Sequence, residues 1–424
     1  MIIRPYADAS LRRTADRIGG AACVFSLVVF AMAGCSLAKT TIRLEAGKVD
    51  YPAGPLWVEM PGTEAAPGAV VVAEAGSHRA VPAQIGPDGR LCLWLDGMKA
   101  GATRELVVEG ADSSAKDVVV VDAGKPGVAA ITLSGKAFTA YNYAADMPKP
   151  CLYPVIGPTG EPMTRHFPMR DVPGEAGSDR DHPHQRSLWT AHGKINGVDY
   201  WAQGPDKGVQ KHVRFESTTS GPVFGQIQAT IEWRTAAGER QLTEQRTYTF
   251  YRPTDEARII DVTVTFKMTD GDVTFGDTKE GGIIALRVAP EMTEKAGKGG
   301  MIRNANGQKT MNQAWGKPAA WCDYFGPVNG KIVGFTIMDS PKNFRHPTPY
   351  HVRDYGLFTA NPFGLHDFQK SRDQNLGSKT WKNGESVTFQ YRVFIHRGDT
   401  DQAGVPAQYA LFAEPPRTSV DRGR

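Results

Sequence analysis

The chain has 424 residues, a formal net charge of +4 and 41% hydrophobic residues. Its length suggests two or three domains, and the apolar fraction is ample for a core. The small charge, with no block of like-charged residues, excludes the basic footprint of a nucleic-acid partner.

The first predicted element is a targeting segment. Arg4, Arg12, Arg13 and Arg17 form a basic stretch, followed by the apolar run AACVFSLVVFAMAG and then Cys35. That run is too short to span a bilayer comfortably and suits the apolar region of a signal peptide. Ala33 and Gly34 have the small side chains of a bacterial lipobox, with Met32 where leucine is usual. The expectation is a signal peptide over 1–34, lipidation at Cys35, and a linker over 35–40. Ordinary signal cleavage nearby is the plainer alternative. Either way the protein is expected to be exported, to the periplasm or cell envelope, with the membrane as a partner through the lipid. Loss of four Arg and two Asp with residues 1–34 brings the net charge to +2. Cys92, Cys151 and Cys322 are odd in number and widely spaced. They give neither a disulfide framework nor paired zinc spacing, and buried free thiols are expected.

Beyond Cys35, alternation dominates over helical periodicity. TIRLEA, PLWVEM, AVVVAEA, LCLWLDG, RELVVEG and DVVVVDA are short strands between Gly, Pro and Asp turns. Their spacing predicts a small β-sandwich of immunoglobulin type over 41–122. AGKPGV (Ala123–Val128) reads as a linker. A larger β unit is expected over 129–414, with a charged tail over 415–424. Within it, QIQATIEWRTAAGERQLTEQRTYTFY is a predicted hairpin turning at Ala236-Ala237-Gly238. ARIIDVTVTFKM puts Ile260, Val262, Val264 and Phe266 on one face and Asp261, Thr263, Thr265 and Lys267 on the other, the mark of a half-buried strand. KIVGFTIMDS and SVTFQYRVFIH are further strands, and the stretch after Asp401 holds a short helix. The expected fold class is all-β, with a large antiparallel supersandwich behind the small sandwich.

Three stretches could carry chemistry. DHPHQRSLWTAHG holds His182, His184 and His192 beside Asp181 and Arg186. Imidazole changes charge near neutral pH and is also the commonest metal ligand. On an extended backbone His182 and His184 would share a face. GDTKEGGIIALRV places Glu280 beside Lys279 at the mouth of a strand, either as a general base or as a surface ion pair. NFRHPTPYHVRDYGLFTANPFG gathers His346, His351, Arg353, Asp354, Tyr355 and Asn361. Aromatic faces beside forked donors and acceptors suit sugar recognition. The same residues also fit an ordered loop packed over Phe344 and Phe363. Arg165, His166, Tyr200 and Trp201 flank the first stretch as candidate walls.

Together YPVIGPTGEPMTRHFPM, DHPHQRSLWTAHGKINGVDYW, GDTKEGG, AWCDYFG and RHPTPYHVRDYGLFTANPFG resemble the PmoA-like family. This is a bacterial family of largely unknown function, often exported, and the resemblance runs from about Ala137 to His396. Its members often have a second histidine where Gln185 stands here. The "methane oxygenase" label would imply an integral membrane copper enzyme, which the lack of an apolar span after the signal argues against. The pattern is looser in its similarity to galactose-mutarotase supersandwiches. That similarity implies a His/Glu division of labour, with His184 or His192 as general acid and Glu280 as general base. His182, Arg186, His351, Arg353, Asp354, Tyr355 and Asn361 would then bind substrate. The expected function is a carbohydrate-processing hydrolase, lyase or epimerase needing no cofactor. The alternatives are a non-catalytic glycan-binding lipoprotein, or an enzyme with a divalent metal at His182/His184.

Overall fold

The computed structural model of the protein describes residues 40–61, 66–173, 175 and 177–422. The expected signal peptide and Cys35 lie outside the described residues. The fold is all-β, built from antiparallel sheets. Among the described residues no helix is long and apolar enough to cross a membrane.

The N-terminal strands form a small sandwich. Thr40–Glu45 pairs with Thr103–Ala111, which pairs with Gly68–Glu74. Gly68 and Ala69 then pair with Ala83–Ile85, which continues to Leu91–Met98 and Tyr51–Val58. One strand thus serves both halves, and a register shift between Val71 and Val72 marks where it bends. Ile42, Leu44, Val58, Leu93 and Leu106 alternate inward to fill the core.

The larger body has two eight-stranded sheets. The first runs Tyr350–Val352, Leu357–Ala360, Gly281–Arg287, Leu188–His192, Cys151–Leu152, Lys136–Asn142, Val128–Leu133, Val119–Lys125. The second runs Val209–Thr219, Phe224–Arg234, Arg240–Tyr251, Ala257–Lys267, Ser386–Arg397, Lys331–Asp339, Trp321–Val328, Met301–Asn304. Their facing sides share one core that includes Leu188, Ile284, Trp233, Val262, Phe266 and Val393. Ile260, Val262, Val264 and Phe266 are buried as the alternation predicts. The hairpin turns at the predicted place, where Gly238 takes φ +90°. Each fully buried aliphatic or aromatic side chain contributes about 1.5–3 kcal/mol.

Two boundaries differ from expectation. The 123–128 linker is a tight hairpin, with Lys125 paired to Val128 and the strand from Val119 belonging to the first large sheet. The 415–424 tail contains a strand, Arg417–Arg422, paired to Thr40–Glu45. The second pairing leaves no local pattern, because its partner lies more than 370 residues away in sequence. The helix Val405–Ala413 lies against Tyr51–Val58, where Gln408 donates to the Ala53 carbonyl and the Tyr51 hydroxyl donates to the Glu414 carbonyl. Cys92, Cys151 and Cys322 are buried free thiols.

Candidate functional site

The site forms on the outer side of the first large sheet. Trp189, Ala191 and Ala285 point away from the intersheet core and are covered by Trp201, Met169 and Tyr355. The loop carrying the first histidines crosses this surface. It is not extended: Gln185 N–H bonds the His182 carbonyl at 3.0 Å, closing a turn with Pro183 at its second position. His182 adopts φ +45°. The His182 and His184 rings therefore meet edge to face, 5.6 Å apart at 78°, instead of sharing a strand face.

Arg165, 1% exposed, braces this loop. Its guanidinium donates to the carbonyls of Phe167, Asp179, Asp181, His182 and Gln185, and to Asp181 Oδ1 at 2.7 Å. Arg287 donates to the same Oδ1 at 2.8 Å and to the Gln185 side chain. Burial acts to raise the Asp181 pKa, but Arg287, the His182 hydrogen bond and Arg165 together hold it below the usual carboxylate range. Asp181 Oδ2 then accepts from His182 Nδ1 at 2.7 Å. His182 Nε2 has no protein partner among the described residues, and the side chain is 41% exposed. Asp181 thus orients the imidazole and leaves its other nitrogen facing outward.

Tyr355 joins distant stretches. Its ring lies parallel to His182, with centroids 5.4 Å apart. Arg287 sits over the same ring at 4.6 Å and Arg353 at 5.5 Å. The field of Glu280 also reaches the phenol. Glu280 is half exposed, with Lys279 Nζ at 3.3 Å from its carboxylate. Parts of all three predicted stretches therefore converge at Tyr355.

The remaining predicted residues have other positions. His184 packs 5.9 Å from Trp201. Burial, aided by Lys149 and His182, pushes its pKa down to about 3. It is neutral at physiological pH and a poor general acid. Arg186 reaches Met169 and Gln203, and its Nε is buried without a partner. His192 is fully buried, with Nε2 2.8 Å from the Gly276 carbonyl and the ring against Phe275 and Phe363. Burial lowers its pKa to about 4. A general-acid role for His192 is thus corrected: its alternation in the strand sends it into the body. His351 is also buried, between Trp315 and Phe368, and burial lowers its pKa to about 3. Asn361 is no substrate reader. Its amide is consumed by the carbonyls of Thr278 and Lys279 and by Phe363 N–H, which fixes the loop that carries Glu280. Asp354 lines a separate shallow pocket with Glu294, Lys295 and Asn312.

For a metal, His182 has already given Nδ1 to Asp181. Among the described residues no group of three or more His, Cys, Asp or Glu side chains comes together as a metal site. The sequence reading overlooked three supports: Arg287, Gln185 and Lys149. Arg287 stands in a run otherwise apolar, GGIIALRVA, and such a charge is a usable signal. Lys149, 1% exposed, donates to the carbonyls of Tyr200 and Trp201 and is pushed down to about 7 by burial and by Arg186.

Residues 129–410 match a protein family described as "Family of unknown function (DUF6807)". The chain belongs to that family. All of the site residues above lie within the family's matched span. The PmoA-like name appears in none of the comparisons. No curated protein matches the chain. Among solved structures, galactose 1-epimerase from Lactobacillus acidophilus NCFM is similar at 9% identity and a TM-score of 0.31, over 68% of this chain and 100% of that one.

Proposed function

We propose that the protein is an exported carbohydrate-processing enzyme of the PmoA-like kind, in which the Asp181–His182 pair moves a proton. One observation carries this reading: His182 Nδ1 is held by a carboxylate at 2.7 Å while Nε2 faces outward without a partner. In that tautomer Nε2 is the basic nitrogen. It accepts a proton from a substrate hydroxyl or ring carbon, and Asp181 stabilises the resulting imidazolium. Arg165 and Arg287 keep Asp181 ionised for this task. The acid–base role thus falls on His182, and neutral His184 serves as a hydrogen-bonding neighbour.

Glu280 is the second acid–base group, and Arg186 and Arg353 are the guanidiniums offered to substrate oxygens. Tyr355 supplies an aromatic wall, as a pyranose needs, whereas Trp201, 2% exposed, packs beneath the site as core. Hydrolase, lyase and epimerase chemistry all use such a proton-transfer pair. The test is a screen of glycosides and oxidised glycosides with the wild type, His182→Ala and Glu280→Gln. The expected result is turnover that falls at least a hundredfold in His182→Ala. Full turnover in both variants would remove these assignments. Binding without turnover, unchanged in His182→Ala, would leave a non-catalytic glycan-binding lipoprotein.

Anchoring at Cys35 belongs to the same proposal. Cys35→Ser should move the protein from the detergent-extracted membrane fraction to the soluble one. An unchanged distribution would remove the anchor.

A further inference from the structure

The second large sheet has a polar outer face, and its cross-strand register arranges that face in rows. One row is Gln226, Thr249, Asp261 and Arg392, which are successive partners across four strands. Most of its polar groups bond one another. Gln226 Nε2 donates to Thr249 Oγ1 at 3.0 Å, and Arg392 donates to both Asp261 oxygens at 2.7 and 2.9 Å.

The adjacent row is Gln228, Thr247, Thr263 and Gln390, again in direct register. It behaves differently. Gln228 spends one N–H on Gln226. Among the described residues, the hydroxyls of Thr247 and Thr263 and the whole amide of Gln390 have no protein partner, whereas on the next row Thr265 and Thr388 bond each other at 2.8 Å. The unpartnered row is also not open surface. Trp57 of the small sandwich and Phe412 of the helix Val405–Ala413 rise beside it and enclose a cleft of about 490 Å³. That size falls within the roughly 300–1,000 Å³ of small-ligand sites, which favour junctions of this kind.

The chemistry of the cleft selects a ligand class. Its free groups are hydroxyls and amides, which both donate and accept. The charged residues lining it balance: Arg90, Lys342 and Arg392 against Glu59, Asp88 and Asp261. An anionic ligand therefore gains no net attraction. We infer that this cleft is a second binding site, distinct from the His182 surface, that takes a short neutral oligosaccharide. Its two walls and four-strand floor hold the glycan between the small sandwich and the body.

Saturation-transfer NMR on the purified protein tests this, with neutral gluco-, xylo-, manno- and galacto-oligosaccharides of three to five units as probes and oligogalacturonates alongside. At least one neutral probe should bind. Its affinity should stay within twofold in His182→Ala, fall about tenfold or more in Thr263→Arg, which fills the floor, and fall severalfold in Gln228→Ala. Near-UV circular dichroism checks folding, and if Thr263→Arg does not fold, Gln228→Ala and Gln390→Ala decide. Absence of binding by every neutral probe overturns the site. So does binding that the floor variants leave unchanged, or binding that only His182→Ala removes. A preference for the oligogalacturonates overturns the neutral class. Because His182 is outside this cleft, failure here leaves the acid–base reading standing, and the reverse also holds.

Discussion

The two ends of DHPHQRSLWTAHG have opposite fates. At Asp181–Gln185 the chain turns on Pro183, and His182 is held outward by Asp181 over Tyr355. A few residues later, Leu188–His192 is a central strand, and His192 is buried to 0% exposure. The same residue type thus serves as a presented base at one end and as core at the other. The difference lies in the backbone. A turn with a guanidinium behind it can present a side chain, whereas a strand in mid-sheet presents only the face that alternation allows. Histidine density alone does not separate the two.

The largest effect should come from removing the brace. Arg165→Met leaves five carbonyls and one carboxylate short of a donor, and should cost about 3–5 kcal/mol by urea denaturation. A loss below about 1 kcal/mol would mean that the loop holds its shape without the guanidinium. Next, His182→Ala should lower kcat/KM at least a hundredfold, about 2.7 kcal/mol, on any substrate found. His192→Phe should leave kcat within severalfold of wild type while lowering stability by about 1–3 kcal/mol, since Gly276 loses its partner. Equal losses of activity in both variants would erase the contrast between turn and strand.

Acid sharpens the same contrast. An unfolded imidazole titrates near 6.5, whereas burial holds folded His192 at about 4 and His351 at about 3. Below pH 6.5 the unfolded chain takes up protons that the native chain does not. Stability should therefore fall as the pH drops from about 6.5 through the folded values, by up to about 1.4 kcal/mol per pH unit for each such group. His192→Phe should make that slope shallower in urea midpoints measured from pH 7 to 4. An unchanged slope would place His192 in solvent. The smallest effect is expected at Glu280. Its ion pair with Lys279 is surface-exposed, so Glu280→Gln should change stability by less than about 1 kcal/mol, whatever it does to turnover.

The strands were legible because alternation is local. Ile260, Val262, Val264 and Phe266 fall inward as read, and the hairpin at Gly238 and the helix near the C-terminus are where the residues put them. Sheet membership and remote pairing were not legible: Val119–Lys125 hairpins into the body where a linker was expected, and Arg417–Arg422 returns to the first strand. The site was legible as residue types but not as roles. His182 and Tyr355 were named, yet their stacking is set by two loops far apart in sequence. Arg287 was hidden inside an apolar strand, where it reads as an interruption until Asp181 is seen opposite it. Asn361 looked like a sugar reader because amides serve carbonyls and hydroxyls equally well, and only the fold shows which it met.

The pairing of Arg417–Arg422 with Thr40–Glu45 sets an order of events during synthesis. The small sandwich leaves the ribosome before the larger body but lacks its border strand until that body's strands have followed. Until then Thr40–Glu45 offers a bare backbone edge, an invitation to mispairing with other nascent chains. A chaperone covering that edge would suppress such mispairing, and a stop codon just after Ala413 should yield protein prone to clumping even though the body's own strands are all present.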